Sequence, residues 1–234
     1  NMALRNASPS FDHWLGTDKM GRDIFVRILF GARISLAVGC LAAVINLIVG
    51  TIYGGIAGYV GGKVDMIMMR VVDIIYSVPS MLYIVLIMLI FGASVVSIML
   101  GISITCWIDM ARIVRQQVKS LKEQEFTMAA FVLGAGSSRI LLKHLLINTM
   151  GQIIVTVTLM VPQAIFTEAW LSFLGVGISA PMASWGTLAQ DARELIMTYP
   201  MQTVYPMIAI CITIFSFNFV GEGLEKALDP KRKR

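Results

Sequence analysis

The residues of this chain that could do covalent chemistry are few and scattered. His13 and His144 are its only histidines, and Cys40, Cys106 and Cys211 lie at unrelated spacings inside apolar runs. That pattern offers neither a metal-ligand cluster nor a disulfide framework, and the cysteines read as small buried hydrophobes. The stretch GGIAGYVGGKVD comes nearest to a phosphate-binding loop and fails at both ends: Ala57 stands where glycine is needed, and Val64 where Ser or Thr is needed. With no nucleophile beside a base and no carboxylate pair, the chain is expected to catalyse nothing itself. What remains are polar residues in or beside apolar runs: Asn46, Ser77, Ser103, Thr105, Gln163 and Glu168. A polar group in hydrocarbon must face protein or a water-filled path, so these are candidates to line a translocation route. For Asn46, an interhelical hydrogen bond is the alternative. For Glu168, a headgroup-level position and the mouth of a pathway are both open.

The elements that must position these groups follow from composition. At 57% hydrophobic and 14% charged, the chain is too apolar for a soluble domain, whose charged share is about 25%. Charge-free runs occupy residues 34–62, 74–108, 145–167 and 195–221. A membrane helix needs about 20 residues, so the second run holds two helices, with FGAS at 91–94 as the turn. The fold class expected is therefore all-α and polytopic, with five spans near 34–60, 74–91, 95–112, 148–169 and 203–221. Around them lie an extracytoplasmic amphipathic segment (1–33), a wet central segment (113–147), an outer surface segment (170–202) and a basic tail (222–234).

Basic residues set the orientation, because they resist translocation. Arg112, Arg115, Lys119, Lys122, Arg139 and Lys143 in the central segment, and Lys226, Lys231, Arg232, Lys233 and Arg234 in the tail, lie two spans apart and so share the cytoplasmic side. The amino terminus then falls outside, where Arg5, Lys19, Arg22, Arg27 and Arg33 strain the rule and Asp12, Asp18 and Asp23 offset them only in part. A further span preceding residue 1 in the full protein would account for the missing initiating helix. Residues 23–33 read as a short interfacial helix whose arginines reach lipid headgroups or partner carboxylates, with a solvated loop as the alternative. Gly50, Gly54 and Gly58 put three small residues on one helix face, where a neighbouring backbone can come close. Pro79 and Pro162 predict bends. Trp170, Phe173, Trp185 and Tyr199 suit an interfacial belt on short surface helices. The basic tail is explained by anionic lipid, and no nucleic-acid contact is expected.

The central segment reads KEQEFTMAAFVLGAGSSRILLKHLLIN from Lys122. A helix leaving the membrane, a second short helix at 125–130 ending at Gly134, and a third from Arg139 capped by Ser137 or Ser138 would make a compact helix-turn-helix. Its small-residue face at Ala129, Ala130 and Gly134 would let another protein's surface approach closely. A docking surface for a cytoplasmic partner explains it better than a loop.

Glu125, Ala129-Ala130 and Gly134 resemble the EAA-and-glycine motif of permease subunits in binding-protein-dependent ABC importers. WIDMARIVRQQVKSLKEQEFTMAAFVLGAGSSRILLKHLLIN, HWLGTDKMGRDIFVRILFGARISL, EAWLSFLGVGISAPMASWGTL and NFVGEGLEKALDP are similar to the C-type subunit of the peptide and nickel branch, in order along nearly the whole chain. The resemblance implies the type I importer membrane fold, with residues 125–134 as a coupling helix. Glu125, Phe126, Ala129, Ala130, Gly134, Ala135 and Arg139 would then engage an ATPase subunit. It also implies a paired second permease, two cytoplasmic ATPases holding ATP and Mg, and an extracytoplasmic binding protein that delivers peptide, with no cofactor in this chain. The family motif usually ends in Leu-Pro; here Leu146 is followed by Ile147, which predicts a softer turn into the fourth span. Oligopeptides are the cargo the resemblance favours, with dipeptides or nickel chelates as alternatives. A secondary transporter without an ATPase is the remaining class, disfavoured because no intramembrane charge relay or repeated half is visible.

Overall fold

The computed structural model describes residues 4–178 and 182–228. Within them the chain is helical, and the only β feature is an isolated bridge between Thr17 and Asp23. The helices are α1 (Ile24–Ile45), α2 (Thr51–Val60), α3 (Gly62–Tyr76), α4 (Ser80–Phe91), α5 (Val95–Thr105), α6 (Ile108–Lys122), α7 (Glu125–Val132), α8 (Ser137–Arg139), α9 (Leu146–Phe173), α10 (Trp185–Arg193) and α11 (Pro200–Leu228). Two π-helical segments, Asn46–Gly50 and Ile140–Leu145, join α1 to α2 and α8 to α9 without a break. Four continuous stretches are long and apolar enough to cross a membrane: Ile24–Val60, Val95–Lys122, Ser137–Phe173 and Pro200–Leu228. The α3 and α4 pair adds a fifth if taken together.

Several local outcomes differ from the sequence reading. Residues 24–33 are the first turns of α1 rather than a separate interfacial helix, because nothing in IFVRILFGARISL breaks helical hydrogen bonding. The run beginning at Ile74 is interrupted at 77–79, where Pro79 disfavours helix for the residue before it, so the apolar helix starts at Ser80. Pro162 is carried inside α9. The softer turn expected at Ile147 is no turn at all: with an N–H at that position, the helix runs uninterrupted from Ser137 to Phe173. Cys40 and Cys211 are exposed rather than buried, and Cys106 is half-buried.

The chain divides into two compact units. One comprises Asn1–Leu41, Met81–Ile102 and Val161–Phe217; the other Ala42–Ser80, Ser103–Met160 and Asn218–Arg234. In the first, α4 and α5 meet at backbone distance: a Cβ on Gly101 would sit 2.6 Å from Ile84 Cα. In the second, the small face of α2 lies on α6. A Cβ on Gly50 would meet Met110 at 2.6 Å, one on Gly54 would overlap the Ala111 backbone, and one on Gly58 would meet the Arg115 carbonyl at 2.7 Å. The glycine spacing therefore marks a helix contact, as the small-residue rule for membrane helices requires.

Candidate functional site

The second unit carries the central segment. Its core is formed by Met110, Val114 and Val118 of α6, Ala130 of α7, Ile140 and Leu145 of the π segment, and Ile153 of α9. This core roots α7 on two long helices. Lys122 closes the end of α6 onto α2, donating to the Tyr59 carbonyl at 2.7 Å. Thr127 is buried and donates to the Leu121 carbonyl at 2.8 Å, tying α7 to α6.

The carboxyl end of α7 is a Schellman motif. Gly134 takes φ +79°, its N–H donates to the Phe131 carbonyl at 3.0 Å, and the Ala135 N–H donates to the Ala130 carbonyl at 3.1 Å. A left-handed residue without a Cβ is what this ending needs. A Cβ there would meet nothing within 4 Å, so Gly134 is demanded by backbone conformation and leaves open space outside.

The small residues expected to share one face do not do so. Ala129 and Ala130 point apart, as neighbours about 100° around a helix must: Ala130 joins the core and Ala129 is exposed. The outward surface is made of large apolar side chains instead: Phe126, Met128, Phe131 (72% exposed), Val132 and Leu133 (85%). The signal was in the sequence as the apolar run FVL before the glycine, set in a hydrophilic segment. Glu125 lies in the first turn of α7, where a carboxylate complements the helix dipole, and it is exposed, as is Arg139 at the end of α8; Ala135 is half-buried. Neither Ser137 nor Ser138 caps α8; Gly136 occupies the cap position with no side-chain bond. Beside α7 opens a cavity of about 800 Å³ lined by Tyr59, Lys122, Met128, Phe131, Ser138 and Leu141, among others.

The candidate path residues are held in different ways. Ser77 is exposed and donates to the Ile74 carbonyl at 2.7 Å, Gln163 is exposed, and Ser103 is half-buried. Asn46 is fully buried in the π segment, and neither atom of its amide has a hydrogen-bond partner among the described residues. π segments of this kind often mark functional positions.

In the first unit Glu168 is fully buried. It accepts from Ser35 Oγ at 3.0 Å and from Ser172 Oγ at 2.8 Å, and Ser35 Oγ in turn accepts the Trp185 N–H at 3.3 Å. Trp185 is buried too, its indole donating to the Ile28 carbonyl at 3.0 Å, so it leaves the expected belt, while Trp170 and Tyr199 remain exposed. Gly186 allows this packing: a Cβ there would sit 2.6 Å from Ala169 Cα. Glu168 is thus a structural anchor that pins α1, α9 and α10 together.

Two of the amino-terminal arginines, Arg22 and Arg27, find carboxylates of their own chain. Asp18 accepts from the backbone N–H of Met20 (2.8 Å) and of Arg22 (3.0 Å), from Arg22 Nε (2.8 Å) and from Arg27 Nη1 (2.7 Å). Arg27 also reaches Asp191 at 3.0 Å, and Lys19 reaches Glu194 at 3.4 Å. Burial alone would raise the Asp18 pKa, but these N–H donors and the Arg22 charge outweigh it and hold the carboxyl below its usual range. Asp191 and Glu194, 164 residues from Arg27 and 175 from Lys19, offset part of the amino-terminal positive charge.

A sequence model described as "Binding-protein-dependent transport system inner membrane component" matches residues 50–234. The chain is 52% identical to the oligopeptide transport system permease protein OppC of Bacillus subtilis, covering 100% of this chain and 77% of that protein. It is 48% identical to the dipeptide transport system permease protein DppC of the same organism, over 100% and 73%. To OppC of Escherichia coli K12 the identity is 43%, over 98% and 76%. Among solved structures, the inward-facing MetNI methionine ABC transporter aligns with TM-score 0.70 at 17% identity, over 88% of this chain and 98% of that one. An amino acid ABC transporter with histidines gives 0.67 at 14%, over 87% and 94%. These structures show the shared membrane fold. The chain belongs to the binding-protein-dependent transport system inner membrane components: it is a multi-pass permease subunit of an ABC importer, in which separate subunits hydrolyse ATP.

Proposed function

We propose that this subunit carries oligopeptides across the membrane by alternating access, paired with a second, different permease chain and driven by two ATPases that clasp α7. A binding protein on the outer side would hand over the peptide. The observation that carries this reading is the exposed apolar face of α7, Phe126 to Leu133, rooted through Ala130 on the core of α6 and α9. Large apolar groups on a rigid stalk outside the lipid are suited to filling a cleft in another protein. Because the stalk continues into long helices, a push on α7 moves those helices. The oligopeptide cargo is supported by the relatives named above, with dipeptides as the second reading from the 48% identical relative. Gln163 and Ser77, both exposed, are the path residues best placed to meet solute.

Gly134 supplies the test, in the importer reconstituted with all its subunits. Gly134→Asn, which tolerates the left-handed conformation, should keep most peptide uptake, whereas Gly134→Val should abolish uptake and peptide-stimulated ATP hydrolysis while the chain still inserts. Unchanged uptake by the valine variant would refute the docking assignment. Competition among labelled di-, tri- and pentapeptides for uptake would decide the cargo length.

A further inference from the structure

Between α3 and α6 in the second unit lies a polar groove that the coupling reading does not use. It is lined by Arg112, Arg115, Gln116 and Lys119 from α6 and by Met69 and Asp73 from α3, and encloses about 590 Å³. Residues 112, 115, 116 and 119 recur at helical spacing, so they form one face. We propose that this groove binds the phosphate of an anionic phospholipid in the cytoplasmic leaflet.

Depth is the first argument. The charge-free run ends at Ile108, where α6 begins, and α6 runs on from there to Lys122. Arg112 and Lys119 stand four and eleven residues beyond that end, about 6 and 16 Å at 1.5 Å per residue. That interval is the headgroup layer and its wet edge. Charge is the second argument. Arg115 is bound to the buried Asp65 through both its Nε and Nη2, the latter at 2.6 Å. Lys119 reaches the same carboxylate only at 3.4 Å and is 48% exposed. Arg112, about a third exposed, pairs with the exposed Asp73 at 3.1 Å, and its guanidinium lies 4.3 Å from the Tyr76 ring centre. Three cations thus face two carboxylates, and the two outer cations hold weak surface pairs that a phosphate can replace. The third argument is the flank. α3 buries Asp65 and Val72 and exposes Met66, Ile67, Val71 and Ile74, a surface on which acyl chains can lie beside the headgroup. Basic pockets between membrane helices on the cytoplasmic side are built to hold such headgroups.

The test uses the assembled importer, purified and placed in nanodiscs of phosphatidylcholine with or without phosphatidylglycerol, with native mass spectrometry and thermal melting as readouts. The wild type should retain phosphatidylglycerol and melt higher in its presence. The double variant Arg112→Gln/Lys119→Gln should lose retention by roughly tenfold or more. Asp73→Asn, which removes the competing carboxylate, should tighten it. Equal retention of the two lipids, or of phosphatidylglycerol by wild type and double variant, would overturn the proposal. So would inorganic phosphate reproducing the whole melting shift in detergent without lipid, since that would make the groove a site for a free anion. Arg112→Lys should keep most retention, which distinguishes lost binding from a misfolded α6.

Discussion

Around Glu168 and Asp18 each of these buried carboxylates is answered by the same chain, whereas around α7 large apolar side chains face outward, left exposed by the described residues. Glu168 has two serine hydroxyls, and Asp18 has two backbone N–H groups and two arginines. Phe131, Val132 and Leu133 are more than two-thirds exposed. The first arrangement is satisfied within the chain; the second is the surface proposed above to meet an ATPase. Substitutions in the first region should therefore alter stability, and substitutions in the second should alter coupling.

The largest effect should come from Phe131→Asp. It should remove roughly 2–4 kcal/mol of docking energy, a factor of about 30 or more in ATPase co-purification, with membrane levels of the chain unchanged. Normal co-purification would erase the contrast. Glu168→Ala is next: losing two buried hydrogen bonds should cost about 1–3 kcal/mol and lower the melting temperature by several degrees, while ATPase binding persists. A Glu168→Ala chain that melts normally but fails to transport would move this residue from anchor to pathway.

Asp18→Asn should cost about 1 kcal/mol, and here pH sharpens the prediction. Because the folded pKa lies below the ordinary 3.8, the carboxylate stabilises the fold above that value and loses its contribution as pH falls through the lower folded pKa. Melting curves of wild type and Asp18→Asn should differ by a constant amount from neutral pH down to about 4 and converge below it. A gap that persisted in stronger acid would mean the carboxylate acts by shape alone. The smallest effect is expected at Asn46, where Leu should be neutral or stabilising by up to about 1 kcal/mol, because the buried amide has no partner to lose. Marked destabilisation would show that the amide is bonded after all.

Much of this was legible in the residues. The apolar runs announced membrane helices, the Gly50, Gly54 and Gly58 spacing announced a close helix contact, and Gly134 announced a helix ending. Each is a property of a short stretch of chain, set by backbone conformation or by side-chain size. The basic tail expected at the cytoplasmic surface lies largely outside the described residues.

Other features depend on which distant residues meet. That Arg27 is answered by Asp191 and Glu168 by Ser35 cannot be read from spacing, since 164 and 133 positions separate them. Whether Ala130 turns inward and Phe131 outward depends on where the core of α6 and α9 lies relative to α7. The sequence by itself determined the membrane class, the helix content and the short helix that ends at Gly134, because hydropathy and helix geometry act over neighbouring residues. Only the tertiary structure decided which polar groups are sealed and which apolar ones are left exposed, because burial is a property of packing between segments remote in the chain.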